Sequence, residues 1–137
     1  MNILERYTSM DYGPAPEGRG DADAWIKSKD FSKALFINGE WKTASSGRTF
    51  ATSEPSSGKK LADISDASAA DIDAAVSAAR KALPKWSGAS GFERAKALYA
   101  IGRAMQRHQR LFAVLEIIDN GKPIRESRDI DVPLAIR

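Results

Sequence analysis

The apolar residues of this chain change their spacing once, at Ser68, and the change divides it into a β part and a helical part. Before that point, short strand-forming runs alternate with turn signals. Leu35-Phe36-Ile37 and Glu40-Trp41-Lys42 flank Asn38-Gly39, a pair that tolerates the positive φ a type I′ hairpin turn requires. Gly47 predicts a second turn and Thr49-Phe50-Ala51-Thr52 a third strand. Pro55-Ser56-Ser57-Gly58 turns again before a strand over residues 59–64. Three or four short strands of this kind predict a small meander, barely stable alone.

After Ser68 the period is helical. Ser68 followed by Asp71 predicts a capped start, and Ile72, Ala75, Val76, Ala79, Leu83 and Trp86 fall on one stripe. Pro84 is expected to mark a fraying last turn, with residues 87–91 as a connector. Ser90 with Glu93 repeats the capping device for a second stripe: Ala97, Leu98, Ile101, Met105, Phe112, Leu115 and Ile118. That run is long for one globular helix, so a break is expected around residues 108–110. Asp119-Asn120-Gly121-Lys122-Pro123 is a stop signal, with Gly121 suited to the left-handed position and Pro123 barring continuation. Residues 129–137 read as the opening turns of a further helix.

Residues 1 to about 30 read as an extended arm. The run Tyr12-Gly13-Pro14-Ala15-Pro16-Glu17-Gly18-Arg19-Gly20 holds no helix or central strand. Residues 21–29 are expected to form one or two helical turns that dock through Trp25 and Ile26.

With 137 residues, the chain is long enough for one ordinary domain. Its 42% hydrophobic content includes many alanines, which bury little area each, so the fold is expected to pack against a larger body. The net charge of +3 is mild, and Arg94, Lys96, Arg103, Arg107 and Arg110 are interleaved with Glu93 and apolar residues. This reads as a solvated helix face, and nucleic acid is not an expected partner. No run approaches the ~20 apolar residues of a membrane span, and the first residues lack a secretory pattern. A cytoplasmic protein without a membrane partner is expected.

Catalytic machinery is not legible. The sequence has no cysteine and one histidine, His108, with no nucleophile and orienting acid beside it. Asp71 with Asp73, and Asp129 with Asp131, are spaced by two, which puts each pair on different helix faces. Gly88-Ala89-Ser90-Gly91 lies between two helices and fails the spacing of a phosphate loop.

The order of segments carries a resemblance. Phe36-Ile37-Asn38-Gly39-Glu40-Trp41, Thr49-Phe50 and Glu54-Pro55-Ser56-Ser57-Gly58 are similar to the opening hairpin of aldehyde dehydrogenases, written F-I-N-G-E-W and N-P-x-T-G. Asp71-Ile72-Asp73-Ala74-Ala75-Val76 with Trp86, then Glu93-Arg94, then Leu115-Glu116 through Pro123, resemble the helices that follow. Asp131-Val132-Pro133-Leu134-Ala135-Ile136 is similar to D-I-P-L-A-I. The arm, from Tyr7 to Glu17 with Ala24-Trp25, and His108-Gln109-Arg110-Leu111 most resemble the sixteenth family, whose chains carry two dehydrogenase-like modules and sometimes lack the catalytic cysteine. Two departures stand out: Glu54 replaces the usual asparagine, and Asp129-Ile130 adds a residue before Asp131.

The resemblance implies an α/β fold: a hairpin or meander plus helices that form part of a Rossmann-like cofactor-binding domain, incomplete on its own. It implies an arm over 1–33 and the truncated first part of that domain over 34–137. It implies oxidation of aldehydes to carboxylic acids with NAD or NADP, through a cysteine thiolate, an oxyanion site and a glutamate-activated water, all carried by parts of the polypeptide outside these residues. The implied partners are the remainder of that polypeptide and further copies in a homo-oligomer.

A monovalent cation site is also implied, at Thr52, Ser53 and Asp119. There carbonyl and carboxylate oxygens suit a hard cation; the plain alternative is that Asp119 caps the Asn120-Gly121 turn. Val132 and Ile136 match a helix that approaches the aldehyde entrance in the family, with ordinary core packing as the alternative. Two other functional readings stay open at this point: a non-catalytic pseudoenzyme or scaffold module, and a free-standing helical binding domain.

Overall fold

The computed structural model describes Glu5 and residues 17–137. The arm motif and its Gly-Pro run up to Pro16 otherwise lie outside the described residues. The first helix, α1 (Gly20–Lys27), carries Asp21 and Asp23 in its first turn and Lys27 in its last, matching the charges of the helix ends. Ile26 packs on the core as expected, but the deepest residue is Ala22, 1% exposed. Trp25 meets Phe31 edge to face at 5.9 Å, on a 3₁₀ turn, Phe31–Lys33.

Strands β1 (Leu35–Ile37) and β2 (Glu40–Lys42) form the expected hairpin. Asn38 and Gly39 take φ of 55° and 83°, and Phe36 stacks across on Trp41 with ring centres 5.0 Å apart. Strands β3 (Thr49–Ser53) and β4 (Lys60–Ser65) form a second antiparallel pair. The expected single meander is therefore corrected to two separate two-stranded sheets. Between β2 and β3 the chain turns at Ala44–Gly47, closed by a 2.8 Å bond from the Gly47 N–H to the Ala44 carbonyl, with Ala44 buried. That turn leads the chain away from β2, and β3 pairs with β4 alone. The Ser65 hydroxyl, buried on β4, donates to the Ser32 carbonyl at 2.7 Å and accepts from the Ala34 N–H, so the 3₁₀ turn is tied to this second sheet.

Helix α2 (Ala69–Gly88) starts at a reciprocal capping box between Ser68 and Asp71. Asp71 also accepts from the Ser45 N–H and hydroxyl, which pins the β2–β3 link to the helix start. These donors, Ser68 first, hold the Asp71 carboxyl below its usual range. Pro84 does not end the helix, which runs on to Gly88, so the expected connector shrinks to Ala89 and Ser90. A proline removes its own N–H, but the residues after it can still bond back, and here they do. Helix α3 (Gly91–Arg107) opens with the second capping box, Ser90 with Glu93. Its Arg94 guanidinium reaches back to the Ser87 and Ala89 carbonyls, supplying donors to the end of α2.

The expected break falls at His108, after which α4 (Gln109–Asn120) runs to the Gly121 stop. Beyond Pro123, α5 (Ile124–Glu126), a π turn (Ser127–Asp131) and α6 (Val132–Ile136) follow without a gap. The helix expected from residue 129 thus starts five residues earlier, and the π turn contains the Asp129-Ile130 pair.

The core lies around α4. Val114 and Ile118, each 4% exposed, meet Ala22 of α1, with Ile26, Leu61, Leu111, Leu115 and Ile124 packed around them. The predicted stripe of α2 lies elsewhere: Ile72, Val76, Leu83 and Trp86 are all exposed, as are Leu98 and Ile101 of α3. Both stripes are thus uncovered among the described residues, although such stripes ordinarily face a core. Ile118→Ala is expected to lower the stability of the 137-residue chain by about 2–4 kcal/mol. Leu83→Ala should change it by less than about 0.5 kcal/mol. Urea unfolding measures both, and a large loss at Leu83 would mean that its face is covered within the chain.

Candidate functional site

The three residues expected to share a cation site come from two segments. Thr52 and Ser53 end β3, where the pairing with β4 shifts by one: Thr52 faces Ala62 and Ser53 faces Lys60. Asp119 lies in the last turn of α4. The fold brings the two segments together, and the Thr52 hydroxyl donates to an Asp119 carboxylate oxygen at 3.3 Å. Ser53 is exposed at the strand end. Asp119 does not cap the Asn-Gly turn; the Asn120 side-chain oxygen does so, accepting from the Lys122 N–H at 2.8 Å, while its amide donates to Glu116.

What holds the two segments in register is a close approach that the sequence did not reveal. Gly121 ends α4 with φ of 77°, and its N–H closes on the Ile117 carbonyl at 3.0 Å. A Cβ on Gly121 would lie 3.2 Å from the Pro55 Cβ, so the stop of α4 sits directly on the β3–β4 turn. Within that turn Glu54 is 6% exposed and bonds to the Arg19 guanidinium from the start of α1 and to the Ser57 hydroxyl at 2.6 Å. The Ser57 hydroxyl, and then Arg19, hold the Glu54 carboxyl below its usual range. The departure from asparagine at 54 was a visible signal; nothing in the sequence pointed to Arg19 as its partner.

Beside Thr52 and Asp119 opens a cleft of about 310 Å³, floored by Leu61, Ile64, Leu115 and Ile118 and edged by Glu116. Its two polar edges could hold a small cation through oxygen atoms. Among the described residues no group of three or more His, Cys, Asp or Glu side chains could hold a metal ion. His108 sits at the α3–α4 break, where its N–H bonds to the Met105 carbonyl and its own carbonyl accepts from the Phe112 N–H, each at 3.0 Å. Val132 is in the core at 8% exposure, and Ile136 is half-buried. No helix among the described residues is long and apolar enough to cross a membrane.

The profile of the aldehyde dehydrogenase family matches residues 41–137. Fluoroacetaldehyde dehydrogenase of Streptantibioticus cattleyicolor is 43% identical over 101 residues, which are 74% of this chain and 20% of that protein. Gamma-glutamyl-gamma-aminobutyraldehyde dehydrogenase of Burkholderia cenocepacia superposes with a TM-score of 0.75 at 34% identity, covering 85% of this chain and 24% of that one. The indole-3-acetaldehyde dehydrogenase AldA of P. syringae, solved with NAD+, gives a TM-score of 0.73 at 32% identity, covering 84% and 24%. The chain therefore spans about a fifth to a quarter of the length of these relatives.

Gly121→Ala is expected to lower stability by about 1–3 kcal/mol, because a side chain meets both the left-handed backbone and Pro55. Urea unfolding gives the loss; an unchanged midpoint would mean that the Pro55–Gly121 contact is dispensable.

Proposed function

This chain belongs to the aldehyde dehydrogenase family, and we propose that it is the first part of an NAD(P)-dependent enzyme that oxidises aldehydes to carboxylic acids. The single observation that carries the proposal is the family match over residues 41–137. The uncovered apolar stripes of α2 and α3 agree with it, because they call for a packing partner in the remainder of such a polypeptide.

In this reading the chain supports the catalytic body and does no chemistry itself. It has no cysteine to act as nucleophile. It also has no strand–glycine loop–helix unit for a dinucleotide among the described residues, so no residue here is assigned to NAD or NADP, the hydride acceptor. The named relatives are dehydrogenases, one of them solved with NAD+, and nothing among them favours the non-catalytic alternative. We assign residues 1–33 to an arm and 34–137 to the cofactor-binding domain, and the chain to the sixteenth family on its Tyr7–Glu17 and His108–Leu111 sequences. The same reading has a homo-oligomer in the cytoplasm.

The full-length protein is expected to reduce NAD+ or NADP+ in the presence of a short aldehyde, followed by the absorbance of the reduced nicotinamide. A thiol-alkylating reagent should abolish the rate, acting wholly outside these 137 residues. No reduction with any aldehyde would overturn the reading.

Thr52, Ser53 and Asp119 would hold a monovalent cation. Their side chains and carbonyls offer oxygen donors, and Thr52 already meets Asp119. Replacing sodium or potassium by a bulky organic cation at constant ionic strength is expected to lower the melting temperature by about 2–4 °C. Asp119→Ala should remove that difference. An equal cation effect in the variant would place the ion elsewhere.

A further inference from the structure

The helical run after Pro123 is wound unevenly, and the residues it buries show why. Ser127 is fully buried and Val132 is 8% exposed, five positions apart. On an α helix, residues five apart diverge by about 140° and residues four apart by about 40°. An unbroken α helix through this stretch would turn one of the two away from the core. The π turn over Ser127–Asp131 widens one turn of backbone, so that five residues cover the arc that four would cover in an α helix.

Three further observations fit that account. Ile130, inside the turn, is 58% exposed among the described residues, so it takes no part in the core around α4 that buries Ser127 and Val132. Ser127 itself is fully enclosed, at 0% exposure, so its place on the inner face leaves no room for a turn of the backbone to carry it outward. Beyond the turn, α6 must keep its phase closely: a Cβ on Gly102 of α3 would lie 3.1 Å from the Ile136 carbonyl. A rotation of α6 by one residue would break this approach and lift Val132 from the core.

We propose that the Ser127–Asp131 turn is a one-residue register insert. It stores one residue more than the packing of the helix needs, and keeps α6 in phase with α3 and α4. Removing Ile130 then leaves Ser127 and Val132 four apart, the α-helical spacing that buries both. The Lys122–Asp131 ion pair stays on the same side of the helix.

The test is deletion of Ile130 in the full-length protein, beside deletion of Arg103 from the uninterrupted helix α3 as control. Ile130 deletion is expected to leave the apparent melting temperature within about 3 °C of the parent, or above it, with soluble yield unchanged. Arg103 deletion should lower it by more than about 10 °C or abolish soluble protein. Inserting an alanine after Arg128 moves Val132 to six residues from Ser127 and should behave like the control. If Ile130 deletion is as damaging as the control, or if a crystal structure of that variant shows Val132 turned out of the core, the proposal is overturned.

Discussion

The contact between Gly121 and Pro55 is the constraint on which the rest of this structure depends. It exists because one residue can both enter the left-handed region and present no side chain. With φ of 77° Gly121 ends α4 and releases the chain towards α5, while its bare Cα lets the β3–β4 turn close on the helix stop. The Thr52–Asp119 bond, the cleft beside it and the buried Glu54 all sit within a few residues of that approach. The pairing of buried Glu54 with the half-exposed Arg19 then draws the start of α1 onto the same turn.

Burial is uneven, and the unevenness is informative. Helix α4 has three buried residues, Ala113, Val114 and Ile118, whereas the longer helices α2 and α3 have none. Both longer helices are nevertheless well started, each by a reciprocal capping box, and their stripes are regular. Local signals form these helices without deciding what covers them. The matched part of this chain covers only 20–24% of its relatives, and proteins of that length have room for a body that such stripes would fit.

The elements legible in the sequence were those whose cause lies within about five residues. Asn38-Gly39, the Ser68–Asp71 and Ser90–Glu93 boxes, the break at His108 and the Gly121 stop were each read from local chemistry and found in place. Sequence pattern and structure part where distant segments intervene or where a local rule admits continuation. The meander became two sheets because the Ala44–Gly47 turn leads the chain away from β2. Pro84 was passed because losing one N–H does not stop the turn that follows it. The candidate cation residues were named from the resemblance alone, and spacing could not have joined positions 52 and 119.

The sequence by itself determined the kinds of element, most of their ends and the family, because capping, turn preference and apolar period act through neighbouring residues and survive in any context. The tertiary structure decided which stripe became core, which carbonyls and carboxylates met, and how the last helix was wound. Those outcomes depend on long-range closure. Ala22 against Val114, Pro55 against Gly121 and Ile136 against Gly102 are fits of shape between segments far apart in sequence, and a one-residue excess at the π turn had to be absorbed for the last of them to be made.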